Sequence, residues 1–194
     1  MTNLAPFLSY VFIATFTPGP NNIMSMTNAS RDGFRKTLNF NLGVFAGFIV
    51  IMLGSSYFNM VLFNLIPKVK IFMSIVGAAY MVYLAYKIYT SKPVAEEESD
   101  KTRINSFRTA FILQFVNIKV ILYGITVFSS FIIPSYSSPA ILVLFSVLLA
   151  FTGFVSTVCW SLFGALFQRF LSKYTKAVNT IMSLLLLYCA IAIF

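Results

Sequence analysis

Six apolar stretches, each long enough to cross a bilayer, constrain this chain more than any other feature. They run over Leu4–Thr27, Leu38–Phe63, Ile71–Tyr89, Thr109–Ile133, Ala140–Phe167 and Ala177–Phe194. A helix rises 1.5 Å per residue, so about 20 apolar residues span the hydrocarbon core. Of the 194 residues 59% are hydrophobic and 10% charged, whereas a soluble domain carries about 25% charged residues. Too little polar surface is present to cover a globule facing water. An all-α integral membrane protein with six transmembrane helices, surrounded by lipid bilayer, is therefore expected. Breakers fall between the stretches at Pro67, Pro93, Pro134 and Pro139.

The net charge of +9 does not indicate a nucleic-acid partner. Its cations are scattered between apolar runs and form no basic domain. Eleven of the fourteen lie in the three odd-numbered loops: Arg31, Arg35 and Lys36; Lys87, Lys92, Lys101, Arg103 and Arg108; Arg169, Lys173 and Lys176. The even-numbered loops hold only Lys68 and Lys70. Because positive loops stay in the cytoplasm, both termini are expected outside. The opening "MTNLAPFLSY" lacks a basic signal-peptide head, so the first segment is expected to be retained.

The chain has no histidine, and its two cysteines, Cys159 and Cys189, sit apart in apolar stretches. That pattern offers no disulfide framework, no Ser-His triad and no clustered metal ligands, so neither an enzyme nor a bound metal or cofactor is expected. The acid-rich loop "SKPVAEEESDKTRINS" (Ser91–Ser106) divides the stretches three and three. An odd number per half makes the second half enter from the opposite face, which is the arithmetic of a 3+3 inverted-topology repeat. The expected units are a first three-helix repeat over 1–90, a cytoplasmic linker over 91–107 and a second repeat over 108–194.

Two interruptions stand in corresponding helices, the first and the fourth. "FTPGPNN" (Phe16–Asn22) breaks the first, and "QFVNIKV" (Gln114–Val120) puts Asn117 and Lys119 into the fourth. Pro18 lies about 14 Å from the Thr27 end and Lys119 about 15 Å from Thr109 at helical rise. Both depths fall near the middle of a roughly 30 Å core. Paired breaks at the midplane are the pattern of a transporter site built from discontinuous helices. Pro18 and Pro20 leave several carbonyls of residues 14–16 without helical partners. Past the Pro18-Gly19-Pro20 break, a helix restarting near Asn21 presents N–H groups and positive dipole to a small carboxylate. Thr17, Asn21, Asn22 and Asn117 add polar side chains. Lys119 has no acidic partner in any segment, and the freed carbonyls or a ligand carboxylate are its expected partners. Ser156, Thr157 and similar residues read as interhelical glue, Gly43/Gly47 as a close-packing face and Trp160 as a packing residue.

The run "FTPGPNNIMSMTNASRDGFRKTLNFNLGVFAGF" (Phe16–Phe48) resembles the first signature of the lysine exporter/homoserine-threonine resistance (LysE/RhtB) family of bacterial amino-acid exporters. The second signature of that family, an Asn-Pro-Lys in the fourth segment, is matched by Gln114, Asn117 and Lys119, with Ile118 in place of the proline. The resemblance implies a secondary exporter of amino acids or related carboxylates in the bacterial inner membrane, driven by the proton-motive force. It adds Gln114 to the substrate-binding candidates Thr17, Pro18, Gly19, Pro20, Asn21, Asn22, Asn117 and Lys119. Asp32 and Lys119 are the coupling candidates. Export of another solute or ion, a non-transporting scaffold, and a homodimer stay open at the sequence level.

Overall fold

A computed structural model describes residues 4–59, 75–76, 78–90, 105–167, 170 and 173–191. Most of the acid-rich loop, the turn with Pro67, Lys68 and Lys70, and Arg169 lie outside these residues. Every regular element among them is helical. The elements are α1 (Leu4–Phe16), α2 (Pro20–Asp32), α3 (Phe34–Tyr57), α4 (78–89), α5 (Phe107–Val116), α6 (Ile118–Val127), α7 (Pro139–Leu166) and α8 (Thr175–Ile191). A π-helical turn, Phe128–Ile132, extends α6.

The first apolar stretch is two helices. α1 is apolar throughout and exposes Leu8, Phe12 and Ile13, a surface suited to lipid. α2 has the sequence PNNIMSMTNASRD and yet buries Asn21, Asn22, Ser25 and Asn28 along with Ile23 and Met24. Such a helix cannot face hydrocarbon, because its amides need polar partners. It lies inside the bundle, packed against α7 and α3.

The first cationic loop differs from its expected form. Arg31 lies in the last turn of α2, Gly33 alone makes the connection, and Arg35 and Lys36 lie in the first turn of α3. Gly33 has φ +87, a left-handed value that glycine adopts without steric cost. One residue therefore turns the chain from α2 into α3.

The fourth stretch is also broken. α5 and the α6 extension meet at Asn117 with a bend of 63°. The proline of the family signature is not what makes this break, since Ile118 is the first residue of α6. Asn117 leaves helical geometry at φ −82, ψ 89, held from outside the helix as described below.

α3 and α7 are long and apolar enough to cross a membrane, and the broken α5–α6 pair is a third such unit. α3 packs against α5, α6 and α7, while α7 holds α1 and α2. Close approach at these seams depends on glycine. A Cβ on Gly43 would run into Phe107 O and one on Gly47 would stand 2.7 Å from Gln114 Cγ, so the GxxxG face seats α5. A Cβ on Gly164 of α7 would strike Met26 O of α2.

Candidate substrate site at the two helix breaks

Interrupting a helix at Thr17–Gly19 strands the carbonyls of its last turn, and inside a bilayer each stranded group costs several kcal/mol. The structure meets them one by one with side chains from other helices. Thr15 O accepts from Asn22 Nδ2 at 2.8 Å and from Ser156 Oγ at 2.9 Å. Phe16 O accepts from Trp160 Nε1 at 3.2 Å. Thr17 O accepts from Asn22 Nδ2 at 3.0 Å and from Lys119 Nζ at 3.1 Å. Ser156 and Trp160 thus hold the broken strand in shape, a more specific task than general glue or packing. Their spacing of four residues on α7 was the available signal. Trp160→Phe keeps the ring and removes the donor, and should lower stability in detergent by about 1 kcal/mol. A thermal unfolding midpoint equal to wild type would show that water serves Phe16 O instead.

Lys119, the second residue of α6, lies half-buried and reaches across to the first break. Its ammonium donates to Thr17 Oγ1 at 2.9 Å as well as to Thr17 O, with Pro18 O at 3.5 Å. The carbonyls of residues 14–16 expected to meet it are taken by Thr17, Asn22, Ser156 and Trp160 instead, and Lys119 engages the next two carbonyls along, at Thr17 and Pro18. The lysine stem passes directly over Gly19. A Cβ there would sit 3.1 Å from Nζ and 3.2 Å from Cδ. Glycine at this position leaves room for the stem.

Asn21, Gln114 and Asn117 form a clasp between the breaks. Asn21 Nδ2 donates to Gln114 Oε1 at 2.8 Å, and Gln114 Nε2 returns a bond to Asn21 Oδ1 at 3.2 Å. Asn117 Nδ2 approaches the same Asn21 oxygen at 3.3 Å. Gln114 Nε2 also donates to Ala110 O at 2.8 Å. These amides are buried and bonded to each other, so they fix the two breaks against one another. The clasp also explains how α5 and α6 part at Asn117 without a proline.

What remains open at the junction is backbone. Gly19 caps α2 in extended geometry with no side-chain hydrogen bond, and Pro20 takes the first helical position, where its missing N–H costs nothing. Asn117 caps α6, again with no side-chain bond to the helix it caps. First-turn N–H groups lack intrahelical acceptors and carry the positive end of the helix dipole. Two such ends and one ammonium therefore converge on one point, an arrangement suited to an anionic group.

Two spaces that share Pro20, Asn117 and Lys119 in their walls adjoin that point. The larger, about 720 Å³, is bordered by Thr17, Pro18 and Lys119 together with Tyr10, Tyr188 and Cys189. The smaller, about 30 Å³, is bordered by Lys119 and by Phe48, Tyr123, Gly153 and Thr157. Cys189 Sγ is 3.9 Å from Pro18 O, and Tyr10 stacks on Tyr123 at 6.1 Å. None of Tyr10, Phe48, Tyr123, Gly153 and Cys189 stood out in the sequence. Tyr123 alone had a signal, its four-residue spacing from Lys119 on one helix face.

Asp32 stands apart from this junction. It ends α2, about 18 Å from Pro20 at helical rise. There Arg31 Nε donates to it at 3.0 Å and Asn105 Nδ2 at 2.8 Å.

The family model for the LysE type translocator matches residues 12–194, which include both breaks, the clasp and Lys119. The chain belongs to the LysE type translocator family. This LysE-type chain is a translocator and not an enzyme. It is 41% identical over 193 residues to the cysteine/O-acetylserine efflux protein of Escherichia coli (strain K12), covering 100% of this chain and 98% of that protein. The proteins of the same name from the O6:H1 strain CFT073 and from strain O1:K1 are 42% identical over the same spans. No solved structure matches the chain.

Proposed function

We propose that this LysE-type translocator exports small amino acids or their close derivatives across the bacterial inner membrane, with the carboxylate held at the junction of the two breaks. The observation that carries this reading is the placement of Lys119. A half-buried ammonium from the fourth segment sits against the break of the first, beside two uncapped helix N-termini and a cavity of about 720 Å³. A zwitterion supplies the anion this point lacks, and pockets of about 300–1,000 Å³ are the usual size for small ligands. The names of the relatives indicate cargo of the cysteine and O-acetylserine kind.

The repeat arrangement belongs to the same reading. Six spans in two inverted three-helix halves, 1–90 and 108–194, with both termini outside, agree with the cross-packing of the bundle. The long helix α3 of the first half seats the broken pair of the second, and α7 of the second half seats the broken pair of the first. Rocking of one half against the other would open the junction to each side in turn. Of the two coupling candidates, Lys119 stands in the cavity, whereas Asp32 is engaged by Arg31 and Asn105 at the far end of α2. This supports Lys119 over Asp32 as the residue that exchanges with the proton-motive force in this reading.

The test compares the medium of cells producing the protein with that of cells lacking it, after feeding dipeptides to raise internal amino acids. Cysteine, serine derivatives or other short amino acids should accumulate outside in the first culture. Identical media would end the exporter reading.

A further inference from the structure

We propose that the small recess beside Lys119 is the pocket for the substrate's side chain, and that Phe48 and Gly153 set its length limit. The inference rests on the exporter reading above and adds the selectivity of that same site. A carboxylate at Lys119 and the α2 N-terminus has two directions in which to send the rest of the molecule, because Lys119 borders both spaces. The outer cavity of about 720 Å³ is far too large to discriminate among short side chains. The recess of about 30 Å³ can discriminate. A volume of that kind admits about two water-sized groups. It therefore takes the carbon and heteroatom of a cysteine or serine side chain. A side chain as long as that of O-acetylserine must trail into the outer cavity or displace a wall.

The wall it would have to displace is specific. Phe48 of α3 is 5% exposed and meets Tyr123 of α6 edge-on, ring centres 5.8 Å apart. Across from the Phe48 ring is Gly153 of α7, where an added Cβ would stand 3.2 Å from Cε2 and 3.3 Å from Cζ. Ring packing on the Tyr123 side and the bare backbone of Gly153 on the other fix where the Phe48 ring closes the recess. Enlarging residue 153 pushes the ring inward, and shortening residue 48 removes the end wall. Each change alters pocket length without touching Lys119, Gly19 or the amide clasp.

The experiment uses inside-out membrane vesicles from cells producing the full chain, with uptake of labelled L-alanine as the readout. Unlabelled serine, cysteine, O-acetylserine and methionine compete at matched concentrations. In the wild type, serine and cysteine should compete about tenfold better than methionine, the scale expected when a longer apolar chain meets a closed pocket. Phe48→Ala should raise competition by methionine and O-acetylserine toward that of cysteine. Gly153→Val should shift the order the other way, lowering competition by cysteine about tenfold while alanine is still carried. If Phe48→Ala fails to reach the membrane, Gly153→Ala, which adds one methyl against the ring, should give a smaller shift in the Gly153→Val direction. Wild-type vesicles that carry no amino acid overturn the exporter reading and the pocket with it. Uptake with an unchanged order of competitors in the variants overturns the pocket alone.

Discussion

Replacing Lys119 with alanine should reduce export by about thirtyfold or more, the equivalent of at least about 2 kcal/mol lost when one member of a buried charged pair is removed. In the resting structure the ammonium neutralises the carbonyl dipoles of Thr17 and Pro18. Under the exporter reading it is also, among the described residues, the only formal positive charge at the point where a carboxylate would dock. Lys119→Arg should recover little of the loss. The stem runs so close to Gly19 that a Cβ there would meet it at 3.1–3.7 Å, and a planar guanidinium needs more width than an ammonium. The measurement is export per unit of protein in the membrane, with abundance checked by immunoblot. Export by Lys119→Ala at the wild-type rate would remove the lysine from the site.

Gly164→Val and Gly43→Val should lose most of the folded protein. At both positions the obstruction is backbone, Met26 O for Gly164 and Phe107 O for Gly43, and backbone cannot swing aside as a side chain does. Overpacking of this kind costs about 1–3 kcal/mol and occasionally more, and here it would force whole helices apart. Gly54→Val is the matched control, because a Cβ there has no atom within 4 Å. Fluorescence-detected size exclusion of tagged variants should show aggregated or missing protein for the first two and a normal peak for the third. Normal peaks from all three would mean the α2–α7 and α3–α5 seams are looser than they stand here. Both seams matter for the site, since α2 and α5 are the elements that carry the two breaks to their meeting point.

Parts of the site were legible because they contradict their surroundings. Two prolines and a lysine at mid-membrane depth are expensive in lipid, so their presence points to protein or water around them. The meeting of Lys119 with the first break followed from counting residues at helical rise. The role of Ile118 was not legible. Loss of the signature proline suggests a weaker break, yet α5 and α6 still part by 63°, because Asn21, 96 residues away in sequence and itself paired with Gln114, holds Asn117. The cationic loop after the first stretch also read wrongly as a loop. Gly33 compresses it to one residue, and a left-handed φ cannot be read from composition.

The sequence by itself determined that the chain is helical and apolar, where its helices must break, and that a lysine stands beside the second break. Those properties follow from local chemistry: hydropathy over about 20 residues, the missing N–H of proline and the cost of a charge in hydrocarbon. Only the tertiary structure decided which groups at the breaks are spent and which are free. Asn21, Asn22 and Gln114, all good candidates for touching cargo, have their amides engaged by other buried groups. The walls of the recess include Phe48 and Gly153, apolar positions that carry no chemical signal of their own in the sequence. Hydrogen-bond pairing and wall placement both depend on residues brought together from distant segments, and no local pattern along the chain encodes those distances.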